Sequence, residues 1–289
     1  MSAAVLLLAA AVSMIGEFAR ESTGAEYSGV SRVPGTNRYW LVNDAGGVAD
    51  EVEILVGEGL SATGVVLRTV QLEGRRDAEG CAVDPLRKGV LWVSDEKDHS
   101  VRAFDTSTGR EIDKAALPPE YAKCRKNRSL EALSISPDGL EMWVSNEEPM
   151  KADATFVRIT RLVRKGADDP WKAEQCVRYR PDPIAGEKFM RRAFSGVSGL
   201  VALGGRRLLV LERECSVKAG RFLPSCRARI YECAADGSKE LLWEADTGLA
   251  NYEGICLGPD APSGEKTLLL VSDGGSCADE KNIVLKLAL

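Results

Sequence analysis

Three glutamates, Glu79, Glu131 and Glu253, each open a short strand-like run, a position that glutamate disfavours by propensity. Each run is followed by a turn and a second apolar run that stops at an acid or amide. In two antiparallel strands joined by a hairpin, the start of the first and the end of the second share one edge. One rim should therefore gather Asp44, Glu79, Asp95, Glu96, Glu131, Asn146, Glu147, Glu212, Glu253 and Asp273. Like charges packed this closely cost on the order of 1 kcal/mol per pair in water and several-fold more when partly buried. They must be protonated, paired or bound to a cation. Oxygen-only donors suit a hard divalent ion, Ca2+ in the first place. The expected ligands are Asp44, Glu79, Asp95, Glu131, Asn146, Glu212, Glu253 and Asp273, with Glu79, Glu131 and Glu253 as the candidate catalytic carboxylates. The competing reading is local: Asn43-Asp44-Ala45-Gly46 and Ser272-Asp273-Gly274-Gly275 have the composition of turns that end strands. Nearby cations are few, namely Arg76, Lys97, Arg128 and Arg213. Arg213 and Arg76 are the candidates to hold an anionic substrate or, alternatively, to neutralise the acids.

Other chemistries are excluded by counting. His99 is the single histidine, so multi-histidine metal sites are ruled out and any Ser-His-Asp mechanism would run through it alone. It lies in Asp95-Glu96-Lys97-Asp98-His99-Ser100, which reads as a solvated turn between strands. The 8 cysteines include no C-x-x-C pair, against a zinc ribbon or thioredoxin-type site. Their even number fits disulfides of an oxidising compartment, and Cys215 and Cys226, bracketing Ser216 to Ser225, are the expected pair. The net charge of -5, without a basic block, argues against nucleic acid as a partner. Ala3 to Ile15 is an apolar run too short to span a bilayer, which takes about 20 residues. It reads as the core of a secretory signal ending near Thr23-Gly24-Ala25, with a buried N-terminal helix as the alternative. The expectation is a leader over 1–25, outside the mature fold, and a domain over 26–289. The mature chain is then secreted or periplasmic, monomeric, and without an integral membrane segment.

The elements that must position the acids recur. Strand, turn and strand repeat at Ser28–Asp44, Glu79–Glu96, Glu131–Glu147, Ser198–Arg213 and Glu253–Asp273, and two further β-rich runs usually follow. Four strands per unit at intervals of about 50 residues predict an all-β propeller of five blades, with six as the alternative. The last unit lacks a fourth strand, and the segment Ile15 to Tyr27 is available to close the ring. Met150 to Ala193 is long and charged and suggests loop insertions on the third blade. Gly57-Glu58-Gly59-Leu60-Ser61-Ala62 fits a loose dinucleotide fingerprint, but a β-branched run follows where that fingerprint requires a helix.

Over nearly the whole chain from Tyr27 this order of motifs resembles the phytase-like domain family, described by esterase-like activity. The resemblance rests on Ser28-Gly29-Val30-Ser31, Asp77-Ala78-Glu79-Gly80, Asn127 through Glu131-Ala132-Leu133-Ser134, Val197-Ser198-Gly199-Leu200 with Leu211-Glu212-Arg213, and Asn251-Tyr252-Glu253-Gly254-Ile255 with Ser272-Asp273. Ala132 stands where the family usually has glycine. The resemblance implies a β-propeller that hydrolyses phosphoesters or esters and takes a small anionic or ester substrate. A non-catalytic propeller binding a ligand or protein on the same rim is the first alternative. A lactonase-like hydrolase using one metal and a water is the second.

Overall fold

The computed structural model describes residues 12–19, 27–44, 46–56, 62–74, 77–125, 128–184, 190–218, 224–248, 250–260, 264, 266–273 and 281–287. Apart from one 3-10 turn, Pro119–Lys123, every regular element named among them is a strand. The first sheet joins β2 (Gly29–Arg32), β3 (Arg38–Val42), β4 (Val48–Val56) and β5 (Ala62–Gln71). The second joins β6 (Ala78–Val83), β7 (Val90–Asp95), β8 (Ser100–Asp105) and β9 (Glu111–Lys114). The third joins β10 (Leu130–Ile135), β11 (Glu141–Asn146), β12 (Val157–Val163) and β13 (Lys172–Tyr179). The fourth joins β14 (Met190–Gly204), β15 (Arg207–Lys218), β16 (Pro224–Cys233) and β17 (Lys239–Gly248). The fifth runs β1-β20-β19-β18, from β1 (Val12–Ala19) through β20 (Lys281–Leu287) and β19 (Thr267–Ser272) to β18 (Tyr252–Leu257). All neighbours within these five four-stranded sheets are antiparallel.

The burial of each strand follows its place in the sheet. The second strands read as nearly continuous apolar runs because neighbouring sheets cover both of their faces. All six residues of β7 are buried, whereas most of β5, the outer strand of its sheet, is exposed. Five apolar clusters sit one between each pair of neighbouring sheets, so the first sheet packs on the second and the fifth packs back on the first. Trp92, Trp143 and Tyr39 are fully buried there, and each such side chain contributes roughly 2–3 kcal/mol of burial.

The innermost strands β2, β6, β10, β14 and β18 lie against one another around the axis. Two glycines show how closely. A Cβ on Gly80 would lie 2.5 Å from the Glu131 carbonyl oxygen, and one on Gly254 would lie 3.1 Å from that of Ser28. Glycine follows glutamate in these strands because any side chain would push neighbouring sheets apart. Between β10 and β14 a methyl is accommodated, and Ala132 is buried there.

Two expectations change. Met150 to Ala193 carries β12, β13 and the start of β14 rather than loop insertions alone. Its strand signal is masked by arginines such as Arg161, whose charge is met on the sheet surface by Glu141 and Glu174. Val12 to Gly16, expected to lie outside the mature fold, are part of β1, which pairs with β20 from Val12↔Leu287 to Ala19↔Lys281. The proposed cleavage site at Thr23 to Ala25 lies outside the described residues. The glycine-rich decoy is followed by β5, a strand. No helix among the described residues is long and apolar enough to cross a membrane.

Candidate active site at one end of the strand ring

The recurring glutamates sit at irregularities that their strands share. The register of β6 on β7 slips between Ala78 and Cys81, that of β10 on β11 between Leu130 and Ala132, and that of β18 on β19 between Tyr252 and Gly254. Glu79, Glu131 and Glu253 fall inside these bulges. A bulge breaks the pleat alternation and re-aims a side chain, and here it gives three repeats the same carboxylate at the same end of the ring. The fourth repeat has the same slip at Ser198, whose hydroxyl donates to the Tyr252 carbonyl at 3.1 Å.

The partner strands contribute one residue later than their last apolar pair. The backbone N–H groups of Glu96, Glu147 and Asp273 donate to the carbonyls of Asp77, Ser129 and Asn251. Arg213 holds the corresponding place on β15. All four Nη protons of Arg213 are taken. Nη1 donates to Glu253 Oε1 and to Asn251 Oδ1, and Nη2 donates to Glu131 Oε1 at 2.9 Å and to Glu147 Oε1 at 2.7 Å. Arg128 reaches Glu147 at 3.1 Å, and the Phe194 ring lies beneath both guanidiniums. Burial alone would lower the Arg213 pKa, but Glu147 and Glu131 outweigh it and the guanidinium stays charged. Arg213 therefore neutralises acids, and its Nη groups are not open to a substrate. Arg76 lies outside the described residues.

The neighbouring arc of the ring is different. Asp77, Glu79 and Glu96 bring one carboxylate oxygen each to within 4.8 Å of one another. Burial and then the charges of Glu96 and Asp44 push the Glu79 carboxyl well above its usual range. Burial and then Glu79 do the same to Glu131. Glu96 is raised to about 7, chiefly by burial, although the Ser129 N–H donates to its Oε1 at 2.9 Å. Among the described residues Lys97 pairs with this arc, 3.6 Å from Asp77 and largely exposed.

Several expected ligands face elsewhere, for a one-residue reason. Successive side chains in a strand point to opposite faces, so where Glu96, Glu147 and Arg213 turn to the axis, Asp95, Asn146 and Glu212 turn away. Asp95 Oδ1 caps the next turn, accepting from the N–H groups of Lys97 and Asp98. Asn146 Oδ1 accepts from the Arg158 N–H. Glu212 is buried against Tyr179 and Lys239, 2.5 and 2.6 Å away, and accepts the Asp182 N–H. Asn146 and Glu212 are thus held in structural contacts, whereas Asp95, after burial and against Lys97, also helps to raise the Asp77 carboxyl. Asp44 is close enough to raise Glu79, and Asp273 keeps the rim position without joining the group of three.

Three further side chains depart from expectation. His99 is half-buried rather than solvated, with a positive φ of 51° and Nδ1 2.6 Å from Ser129 Oγ. Ser129 is the residue whose N–H holds Glu96, so His99 buttresses the rim from behind. Cys215 and Cys226 are register partners on β15 and β16, both buried, but they are free thiols and the expected disulfide is not formed. Their shared hydrogen bond and then burial push the Cys215 thiol up, and its Sγ also lies 3.2 Å from Asn251 Oδ1. Sequence reasoning gave Asp77, Ser129 and Asn251 no role beyond a motif and passed over Phe194. The constant spacing of two residues before the bulge glutamate is the signal that could have found Asp77, Ser129 and Asn251 together.

Comparison with known proteins supports the fold. Glutaminyl cyclase of Myxococcus xanthus superposes with a TM-score of 0.52 at 10% identity, over 96% of this chain and 97% of the cyclase. The tail fibre of Staphylococcus aureus phage P68 does so at 0.52 and 11%, over 97% of this chain and 53% of the fibre chain. At such identities the likeness is one of architecture alone. Among curated protein sequences none matches the chain. The family described as "Esterase-like activity of phytase" matches over residues 23–274, which takes in the three bulge glutamates, their partner positions and Arg213. This β-propeller chain belongs to that phytase-like family.

Proposed function

We propose that this protein is an exported hydrolase of phosphoesters or esters, acting at the carboxylate-lined mouth of a central channel with a hard divalent cation, Ca2+ in the first place. One observation carries the reading. After Arg213 and Arg128 have been matched to Glu131, Glu147 and Glu253, a group of three carboxylates, two of them buried, remains with no adjacent buried cation among the described residues. A bound ion would polarise the scissile group and lower the pKa of a water. Glu131 would take the proton from such a water, a role supported by an Oε1 fixed by Arg213 and a buried Oε2 without a hydrogen-bond partner. Glu253 and Asn251 hold Arg213 in place, so they position Glu131 rather than meet the substrate. With the Arg213 Nη groups engaged, the anionic end of a substrate would be met by the ion.

The test is turnover of p-nitrophenyl phosphate and p-nitrophenyl ester panels with Ca2+ and with EDTA. Hydrolysis that EDTA abolishes is expected, and Glu131→Gln should lower kcat by about 10²-fold or more with KM little changed. No turnover in either condition would leave the binding-propeller reading, and turnover of lactones alone would mark the lactonase-like one. Export is checked by the mass of the mature chain, since Val12 to Ala19 cannot both be removed with a leader and pair with β20.

A further inference from the structure

We infer that the cation of this site is held by Asp77, Glu79 and Glu96, with the free Oε2 of Glu131 accepting a hydrogen bond from a water on the ion. The assignment deepens the proposed hydrolase, replaces the eight-residue ligand set, and has its own test. Ca2+ binds oxygens at about 2.3–2.6 Å, so two of its ligands can stand up to about 5 Å apart. Three oxygens within 4.8 Å of one another can reach one such ion. Glu79 and Glu96 are each only 8% exposed, while Asp77 is half-buried and leaves an entry path. Three protein ligands leave several of the 6–8 positions of Ca2+ to water and substrate, as an open catalytic site needs.

An acidic cluster by itself would mean little. The second observation is Glu131, 6% exposed, whose Oε2 makes no hydrogen bond although an unsatisfied buried acceptor costs about 1–3 kcal/mol. Its Oε1 is turned to Arg213. Of the acids around it, Glu79 has the greatest effect on it, and the backbone of β6 at Gly80 lies directly against its own carbonyl. Glu131 and Glu79 thus sit side by side on the rim, on adjoining inner strands. Ser129 completes the design: its N–H occupies Glu96 Oε1 and leaves the other oxygen for the ion.

The experiment is calorimetric titration of Ca2+ into the EDTA-stripped full-length protein, with thermal melts of the same samples. Wild type should bind one Ca2+ and melt higher with it. Asp77→Asn and Glu96→Gln should each weaken Kd at least 10-fold while melting in EDTA no lower than wild type, because each removes a repelling charge. Asp273→Asn should bind as wild type does. Absence of Ca2+ binding by wild type would overturn the site, as would binding that survives both ligand substitutions but is lost in Asp273→Asn. Binding with this pattern but without turnover on the panels would keep the site and remove the hydrolase. Turnover by an Asp77→Asn protein of wild-type Ca2+ affinity would do the reverse.

Discussion

The two ends of β6 carry buried carboxylates that were treated in opposite ways. Just beyond its far end, Asp84 and Arg164 have side chains with 0% exposure, and they meet in a two-pronged contact of 2.9 and 2.5 Å. Trp92 Nε1 and the N–H groups of Leu86 and Arg87 also donate to Asp84. Arg164 in turn donates to the Gly139 carbonyl and stacks on Trp171. Burial would raise the Asp84 pKa, but the hydrogen bonds from Arg164 and Trp92 outweigh it and hold the carboxyl below its usual range. At the near end, Glu79 is as well buried and has been pushed the other way, by burial and by other acids. The first arrangement is complete and ties the second sheet to the third. The second lacks such partners, and this contrast is what the proposed cation site rests on.

The largest test of this contrast is Arg164→Met. Leaving Asp84 buried and unpaired should cost about 3–5 kcal/mol, and the Asp84 pKa should then rise above its ordinary value. Chemical denaturation of the variant reads the first and NMR titration the second. A loss below about 1 kcal/mol would mean that the two ends of β6 do not differ as described.

The next concerns pH in EDTA. Glu79, Glu96 and Glu131 have folded pKa values above their unfolded ones, so between those values the native state binds more protons. Their contribution to stability is present below the unfolded pKa, about 4.3, and is lost as pH rises through the folded values, about 7 for Glu96. The Tm should fall by roughly 2–5 °C between pH 5 and pH 8, and saturating Ca2+ should flatten the slope. A Tm that rises over this range would place these acids with Asp84.

The smallest expected effect is that of Glu79→Gln in EDTA at pH 7.5. It should leave stability unchanged or raise it by up to about 1 kcal/mol, and it should reduce the pH slope. Loss of more than that would show Glu79 to be a structural hydrogen-bonding group.

Much of the architecture was legible because it is local. The recurrence of apolar pairs ending in an acid or amide marks the first two strands of each sheet, which are covered on both faces and so are written in strongly apolar residues. The outer strands were harder to read: β12 and β13 carry Arg158, Arg161 and Arg178, which blur the alternation. The three glutamates were recognised as unusual for strands, but the bulges that aim them were not. Nor was the parity that sends Glu96 and Glu147 inwards and Asp95, Asn146 and Glu212 away, because in a run of adjacent polar residues only the hydrogen-bond register decides which one faces the axis.

By itself the sequence determined that this chain is built from repeated β units, that multi-histidine metal sites are excluded, and that carboxylates collect at one edge. Each of these follows from counting residue types and from the geometry of a hairpin. Only the tertiary structure decided which acids are paired. Arg213 is 82 residues from Glu131 and 66 from Glu147, and nothing local in the sequence indicates that one guanidinium serves both. Ion pairing depends on distances of a few ångströms across neighbouring sheets. Those distances are set by the close approach of inner strands at Gly80 and Gly254, where the whole ring, not any one repeat, brings the groups together.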